Sequence, residues 1–322
     1  MATVLVSAPL PGSALTLLES EGHEVIVGES PYGLGREGII EQLHEAPNTT
    51  ALITLLSDPV DRCVLNAGMD LEIVANYAVG VDNLDLEELE KRQIVATNTP
   101  GVLTEATADI TMALILDACR NVTRGDRLVR DGAWQGWSPT LLVGPRVTGA
   151  TLGIVGFGRI GQAVARRARG FDMRIVYNQR TQLDEAREKE LAATFVSLDE
   201  LIESSDIVSL HCPLTDETRG LLDEARMRRM RAGAVLVNCA RGPCVDEEAL
   251  ARLLAEGHLS AAGLDVYARE PQVHEDLLAL PNVVLAPHLG SADQSTRERM
   301  AEMCVQGVLD VLAGREPNHR VV

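Results

Sequence analysis

The stretch Thr151–Gly161, Thr-Leu-Gly-Ile-Val-Gly-Phe-Gly-Arg-Ile-Gly, decides the fold that the sequence predicts. Leu152 to Val155 is a short apolar run, which indicates a buried strand. The run breaks into the pattern Gly-x-Gly-x-x-Gly, and small apolar residues at helical spacing follow from Gln162 to Arg169. Strand, glycine turn and helix, in this order, are what a dinucleotide-binding site requires.

Each glycine of the pattern has its own expected role. Gly156 permits the tight turn, Gly158 omits the side chain that would block a pyrophosphate, and Gly161 lets the helix pack closely on the strand. The start of the helix then presents free N–H groups to the phosphates. Because the glycine pattern alone is a weak signal, the prediction depends on the strand and the helix that flank it.

The residues after the next predicted strand, Met173 to Tyr177, indicate which dinucleotide is bound. An acidic residue about 20 positions beyond the glycines normally accepts hydrogen bonds from the ribose of NAD. Here Asn178 takes that place, and Arg180 and Thr181 follow it. A guanidinium binds a 2′-phosphate well, and no carboxylate repels it. The sequence therefore predicts a preference for NADP(H), with NAD(H) still possible; in the alternative, Arg180 is a solvated surface residue.

Length and charge exclude several classes of protein. The chain has 322 residues, enough for two domains, and a formal net charge of −18. Nucleic acid and anionic membranes need a basic face, so neither is an expected partner. No apolar run is long enough to span a membrane, and the N-terminus lacks the basic segment of a signal peptide. The six cysteines show no ligand spacing, so we expect a cytoplasmic enzyme without a metal site.

Strands and helices alternate along most of the chain, which predicts parallel sheets covered on both faces. The predicted fold is α/β with two doubly wound parallel-sheet domains. A flavodoxin-like substrate domain covers residues 1–99 plus 290–322, and a Rossmann dinucleotide-binding domain covers residues 100–289. Ligands bind at the carboxyl ends of such strands, where Ser57 and the Gly80 turn are candidates in the first domain.

Residues 102–140 are predicted to form a dimerisation helix and loop. The pattern from Thr104 to Arg130 predicts one helix, about 40 Å long at 1.5 Å per residue. The loop after it holds both tryptophans of the chain, Trp134 and Trp137. Such a length favours packing against a second subunit, so we expect a homodimer. Two tryptophans in a loop of this kind fit a subunit interface and a substrate-pocket wall equally well.

Polar residues that could perform chemistry follow the predicted strands. Arg241 can bind a carboxylate with two parallel hydrogen bonds, and His288 can exchange a proton with a hydroxyl or carbonyl. Glu270 would fix the tautomer of that imidazole and stabilise its charged form. Together they predict a site for a 2-keto acid, with Asp265 in a neighbouring strand and His211 as a structural or cofactor-packing residue. No Gly-x-Ser-x-Gly elbow or metal motif is present.

At this point the sequence resembles the D-isomer-specific 2-hydroxyacid dehydrogenases over essentially its whole length. The resemblance rests on several motifs together with the glycine pattern: Val79-Gly80-Val81-Asp82-Asn83, Asn98-Thr99-Pro100-Gly101, His211-Cys212-Pro213-Leu214, Asn238-Cys239-Ala240-Arg241-Gly242, Leu264-Asp265-Val266-Tyr267-x-x-Glu270-Pro271 and Pro287-His288.

The resemblance implies roles for individual residues. The family's catalytic arginine, glutamate and histidine correspond to Arg241, Glu270 and His288, and its substrate-carboxylate amides to Val79 and Gly80. The expected substrate contacts are Ser57, Val79, Gly80, Arg241 and His288. The expected cofactor contacts are Gly156, Gly158, Arg159, Ile160, Gly161, Asn178, Arg180, Thr181, Cys212, Pro213, Cys239, Ala240, Arg241, Asp265, His288 and Gly290.

Within the family, the chain is most similar to the glyoxylate/hydroxypyruvate reductases. This implies reduction of glyoxylate to glycolate and of hydroxypyruvate to D-glycerate, with His288 as proton donor and Trp137 limiting substrate size across a dimer. The alternatives are a 2-ketogluconate reductase, a 3-phosphoglycerate dehydrogenase or an enzyme for branched 2-keto acids. A dinucleotide-sensing binding protein, like the corepressors that share this fold, is an alternative from another class.

Overall fold

The computed structural model describes all 322 residues and divides into two compact units. The first unit consists of Met1–Leu103 and Ala292–Val322, and the second of Thr104–Ser291. Their strands are β1 (Thr3–Val6), β2 (Glu24–Val27), β3 (Thr49–Leu55), β4 (Ile73–Tyr77), β5 (Val95–Thr97), β6 (Thr151–Val155), β7 (Arg174–Asn178), β8 (Ala193–Phe195), β9 (Ile207–Leu210), β10 (Ala234–Asn238), β11 (Leu259–Leu264) and β12 (Val283–Leu285).

Thirteen α-helices connect and cover the strands. They are α1 (Ala14–Ser20), α2 (Gly35–Glu45), α3 (Arg62–Ala67), α4 (Leu86–Lys91), α5 (Thr104–Arg120), α6 (Val122–Arg130), α7 (Arg159–Ala168), α8 (Glu185–Leu191), α9 (Leu198–Ser204), α10 (Glu224–Arg228), α11 (Glu247–Ala255), α12 (Glu275–Ala279) and α13 (Gln294–Leu312). None of them combines the length and the apolar character needed to cross a bilayer.

The first unit is built on a five-stranded parallel sheet in the order β2-β1-β3-β4-β5, the flavodoxin-like order. The residues of β1 and β4 are buried throughout, because helices cover both faces of the sheet. The C-terminal helix α13 returns to this unit, where the hydroxyl of Tyr77 donates to the carbonyl of Arg297 at 2.7 Å. The predicted flavodoxin-like fold of this unit is confirmed.

The second unit is built on a seven-stranded parallel sheet in the order β12-β11-β10-β9-β6-β7-β8. The strand order reverses between β6 and β9, as in a Rossmann fold, and such sheets bind ligands outside the carboxyl ends at that point. The glycine turn follows β6, and His211 follows β9. The predicted Rossmann class is therefore confirmed.

The prediction of one helix from Thr104 to Arg130 is wrong. The helix ends at Arg120, and α6 starts after Asn121, whose φ of 57° is left-handed. Asparagine tolerates this conformation better than most residues. Asp117 stabilises the break, since its carboxylate accepts from the amide of Thr123 at 2.8 Å and from the hydroxyl of the same residue. Neither helix has the 40 Å length that suggested a second subunit.

A second difference lies between residues 179 and 205, for which the alternation predicted no element. The structure has α8, the edge strand β8 and α9 in this segment. Asp184 and Ser197 cap the two helices by accepting from the amides of Arg187 and Glu200. β8 has only three residues, which is too short for a periodic pattern to reveal.

Candidate active site

The turn after β6 requires glycine at its first position. Gly156 has a φ of +87°, and a Cβ placed there would lie 2.5 Å from the amide nitrogen of Cys212. Both the left-handed backbone and the contact with the neighbouring strand end therefore exclude a side chain. The amide of Gly156 donates to the carbonyl of Asn178 at 2.8 Å, so the turn is fixed against the ends of both flanking strands.

The other two glycines of the motif differ in what surrounds them. A Cβ on Gly161 would lie 2.4 Å from the carbonyl oxygen of Gly156, so this glycine permits close packing of helix on turn. A Cβ on Gly158 would meet no atom within 4 Å. Packing inside the chain thus does not account for Gly158, whereas a phosphate approaching the open side of the turn would.

The start of α7 has the donors that a phosphate needs. Its N-cap residue is Gly158, which has no side chain to accept a hydrogen bond. The first amide bonded back into the helix is that of Gln162, which donates to the carbonyl of Gly158 at 3.0 Å. The amides of Arg159, Ile160 and Gly161 are left without an acceptor in the helix, and the helix dipole favours an anion there. These residues fit a dinucleotide pyrophosphate.

The end of β7 lies beside this turn and has no free carboxylate. Asn178 donates from Nδ2 to the carbonyl of Val196 at 2.8 Å. Arg180 and Thr181 are exposed, and Arg180 takes part in none of the ion pairs of the chain. The nearest acid, Asp184, is occupied as the cap of α8. The strand end therefore offers amide, hydroxyl and guanidinium groups to a ribose or its phosphate.

The turn that carries Arg241 follows β10 and is braced by the last residue of that strand. The side chain of Asn238 accepts from the amide of Ala240 at 3.0 Å and donates to the carbonyl of Arg241 at 2.9 Å. The guanidinium of Arg241 donates from Nη1 to the carbonyl of Ala240 at 2.9 Å. Cys239 and Ala240 are buried, so they belong to the wall beneath the turn.

Glu270 and His288 form a hydrogen-bonded pair. Oε2 of Glu270 lies 2.8 Å from Nδ1 of His288, and Oε1 accepts from the amide of Tyr267 at 3.0 Å. Burial would raise the pKa of Glu270, but the hydrogen bond and charge of His288, the Tyr267 amide and the charge of Arg241 lower it overall. Because Nδ1 is bonded to the carboxylate, Nε2 is the imidazole atom that can exchange a proton with another group.

Asp265 holds the backbone of the histidine in place. It follows β11 directly, one residue outside the strand in which the sequence placed it. Its carbonyl accepts from the amide of His288 at 3.0 Å, and its carboxylate accepts from the amide of Leu289 at 2.6 Å. Burial raises the pKa of Asp265, although the amides of Leu289 and Gly290 and the charge of His288 oppose this. The carbonyl of Gly290 accepts from the hydroxyl of Thr107 at 2.9 Å.

His211 is partly buried, and its imidazole is neutral. Nε2 lies 2.8 Å from the hydroxyl of Ser209, whereas Nδ1 is buried without a partner. Burial lowers the pKa of His211 to about 3, so the ring does not titrate near neutral pH. Next to it, Cys212 is buried and Pro213 is exposed. A hydrogen bond with the Cys244 thiol, together with burial, raises the pKa of the Cys212 thiol.

The first unit has its own cluster of candidate residues at the ends of β3 and β4. The carbonyl of Val79 accepts from Asn98 at 2.7 Å, and the carbonyl of Gly80 accepts from Asn76 at 2.8 Å. The amides of Val79 and Gly80 donate to no backbone carbonyl. These two adjacent amides are therefore available to another acceptor.

Ser57 lies at the end of β3 and is exposed, with its hydroxyl 3.4 Å from the carbonyl of Tyr32. Its neighbour Asp58 is fully buried and accepts from the amides of Leu55 and Gly35 at 2.8 and 2.9 Å. The sequence analysis gave Asp58 no role of its own, and a buried carboxylate with this many donors is a structural support of the turn. No group of three or more histidine, cysteine or acidic residues could hold a metal ion.

Comparison with known proteins places the chain in a family. Residues 112–290 match the model of the D-isomer specific 2-hydroxyacid dehydrogenase NAD binding domain. A glyoxylate reductase of Thermococcus onnurineus is 47% identical over 318 residues, which cover 98% of this chain and 94% of that protein. The crystal structure of a protein from Thermus thermophilus is 47% identical, with a TM-score of 0.91 over 99% of this chain and 100% of its own.

A relative with a bound dinucleotide has the same fold. The NADPH-dependent glyoxylate/hydroxypyruvate reductase of Sinorhizobium meliloti, solved with NADP and malonate, is 31% identical. Its TM-score is 0.87, and the alignment covers 100% of this chain and 97% of that one. The resemblance seen in the sequence motifs is thereby confirmed, and this chain belongs to the D-isomer specific 2-hydroxyacid dehydrogenase family.

Proposed function

We propose that this protein reduces glyoxylate to glycolate and hydroxypyruvate to D-glycerate with a nicotinamide dinucleotide. The observation that carries the proposal is the 2.8 Å bond between Glu270 and His288, on the same sheet edge as the glycine turn and the Arg241 turn. Similarity to glyoxylate reductases over nearly the whole chain supports the choice of substrate.

His288 acts as the proton donor in this proposal. The bound dinucleotide supplies the hydride to the carbonyl carbon of the keto acid. Nε2 of His288 donates a proton to the carbonyl oxygen, while Glu270 holds Nδ1 and stabilises the imidazolium by its negative charge. The lowered pKa of Glu270 keeps that carboxylate ionised at and below neutral pH.

Arg241 binds and orients the substrate carboxylate. Its guanidinium can form two parallel hydrogen bonds to a carboxylate, which fixes the keto carbon relative to the histidine. On the first unit, we assign the amides of Val79 and Gly80 and the hydroxyl of Ser57 to substrate contacts as well. The unpaired state of both amides supports this assignment.

The test is a comparison of initial rates with glyoxylate and hydroxypyruvate. We expect turnover of both, and a loss of about 10²-fold or more in kcat for His288→Asn with dinucleotide binding retained. His44→Asn, an exposed histidine of α2, is the matched control. Near-normal turnover by His288→Asn would refute the proton-donor role. If the wild-type protein binds dinucleotide but reduces neither of these acids nor a larger keto acid, a dinucleotide-sensing protein becomes the better interpretation.

We further propose that NADP(H) is preferred over NAD(H). Arg180 and Thr181 are exposed beside the glycine turn, and no free carboxylate is present to repel a 2′-phosphate. The Sinorhizobium relative solved with NADP supports this choice. Arg180→Gln should weaken the binding of NADPH at least about tenfold and leave the binding of NADH nearly unchanged. Arg174→Gln, at the other end of β7, is the control, and equal effects on both dinucleotides would contradict the preference.

Finally, we propose a homodimer formed through residues 121–143. Helix α6 has no buried residue, and large apolar side chains are exposed along this segment: Val122, Val129, Trp134, Trp137, Leu141 and Val143. In an otherwise acidic chain, residues 121–143 carry three arginines against two aspartates. A second copy would cover the apolar groups and offer acidic surface to the arginines.

Light scattering on the purified protein tests the dimer. A dimeric mass for the wild-type chain and a monomeric one after Trp134→Ser with Val129→Ser would support this interface. Tyr32, which is also highly exposed but lies in the first unit, provides the control substitution Tyr32→Ser. A monomeric mass for the wild-type chain would contradict both the proposed interface and the proposed effect of Trp137 on substrate size.

A further inference from the structure

Two consecutive backbone amides of the second unit each donate a hydrogen bond to a carboxylate. The amide of Tyr267 donates to Oε1 of Glu270 at 3.0 Å, and the next amide, that of Ala268, donates to Oε1 of Glu247 at 2.7 Å. Glu270 belongs to the proposed catalytic pair. Glu247 is the first residue of α11, and it touches none of the reacting groups.

The Tyr267–Ala268 peptide, whose N–H bonds Glu247, also supports the Arg241 turn. A Cβ on Gly242 would lie 1.8 Å from the carbonyl carbon of Tyr267 and 2.2 Å from the amide nitrogen of Ala268. Gly242 follows Arg241 directly, so the backbone that carries the guanidinium rests against this peptide. A shift of the Tyr267–Ala268 peptide would therefore displace the Arg241 turn and, because the two peptides share Tyr267, the adjoining amide that holds Glu270.

Glu247 is not an ordinary surface acid. An acidic residue in the first turn of a helix normally faces solvent and interacts with the helix dipole, and Asp246 already caps α11. The side chain of Glu247 instead reaches the loop after β11. Burial raises the pKa of its carboxyl, and the negative charge of Glu270 adds to this effect. The Ala268 amide and the charges of His274 and Arg269 oppose it.

We propose that Glu247 is a positioning residue for the Glu270–His288 pair and for Arg241. Its hydrogen bond fixes the Ala268 amide, and so both the peptide against which the Arg241 turn rests and the adjoining Tyr267 amide that holds Glu270. Without that bond, the loop can move away from α11 and take Glu270 out of line with the imidazole. Misplacement of a catalytic group by about 1 Å can cost as much as 10²-fold in rate. The inference rests on the proposed function, because the readout is keto-acid reduction.

The experiment compares three substitutions at this residue in the full-length chain. Glu247→Ala removes the acceptor and should lower kcat about tenfold and raise KM for the keto acid, with KM for the dinucleotide unchanged. Glu247→Gln keeps an oxygen acceptor and should stay within about threefold of wild type. Glu247→Asp, one methylene shorter, should behave like Glu247→Ala. The control is Glu248→Ala, since Glu248 is the exposed neighbour that pairs with Arg252.

Three results would overturn the inference: wild-type kcat in Glu247→Ala, equal losses in Glu247→Ala and Glu247→Gln, or a change confined to KM for the dinucleotide. If Glu247→Gln and Glu247→Asp melt at the same temperature as the wild-type protein, their kinetic changes reflect positioning and not loss of folding. Failure of the proposed function would appear in the wild-type protein, as absent keto-acid reduction. Failure of the inference appears only in the variants of an active enzyme.

Discussion

The neutral imidazole of His211 predicts that the fold loses stability in mild acid. In the unfolded chain a histidine takes up a proton with a pKa near 6.5, whereas burial in the native structure lowers the pKa of His211 to about 3. Between these two values the unfolded state binds more protons than the folded state. Stability contributed by this residue is therefore complete above about pH 7 and declines as the pH falls from 6.5 towards 3.

The size of the effect follows from the two pKa values. At pH 5 the unfolded histidine is almost fully charged and the folded one almost fully neutral, so the difference in unfolding free energy relative to pH 7.5 is about 2 kcal/mol. For a folded unit of 150–250 residues, this corresponds to a lower melting temperature by about 4–8 °C. His211→Gln removes the titrating group and keeps an amide near the hydroxyl of Ser209.

The assay is thermal unfolding of both proteins, free of dinucleotide, at pH 7.5 and pH 5. All other titrating groups are shared, so their contributions cancel in the difference between the two proteins. We expect the wild-type melting temperature to fall by about 4–8 °C more than that of His211→Gln. Equal falls in the two proteins would refute the argument, because they would mean that the folded protein admits a proton or water to the imidazole.

Three further predictions concern the site and the second unit. Glu270→Gln should lower kcat for keto-acid reduction by about 10² or more, because a neutral amide cannot stabilise the imidazolium that donates the proton; steady-state kinetics at several pH values measure this. Gly161→Ala should raise the dinucleotide Kd at least about tenfold, because the added Cβ would lie 2.4 Å from a carbonyl oxygen. A fluorescence titration measures this Kd. Gly170→Ala is the control and should leave the Kd unchanged, because a Cβ there meets no atom within 4 Å. Asp117→Ala should lower the free energy of unfolding by about 1 kcal/mol, because the bonds from Thr123 to the Asp117 carboxylate are lost. Urea unfolding measures this, with Asp126→Ala, at an exposed residue, as comparison. Equal values for the two variants would contradict the stabilising role of Asp117.

The two-domain α/β architecture could be predicted because its strands are short apolar runs with turn residues at fixed places. The break at Asn121 could not. Both sides of it have good helical pattern, and the bond that stabilises it joins Asp117 to a residue six positions away. The elements between residues 179 and 205 were missed because α8 is mostly polar and β8 is a three-residue edge strand.

At the candidate site, residues at strand ends were predictable because parallel strands place their carboxyl ends on one edge. The contact between Glu270 and His288 is an example, since each follows a strand of the same sheet. Glu247 gave no such signal. It starts a helix, as acidic residues commonly do, and its importance depends on a contact with a loop 21 residues away that only the folded chain brings near.

The backbone of His288 has a consequence for how this protein can be stabilised. Its φ of 54° lies in the left-handed region, where a residue with a Cβ carries a conformational energy of roughly 1 kcal/mol that glycine avoids. The bonds from Asp265 hold it there. Selection for thermal stability alone would therefore favour glycine at this position and discard the imidazole. Backbone stability and the proposed proton transfer thus make opposite demands on a single dihedral angle.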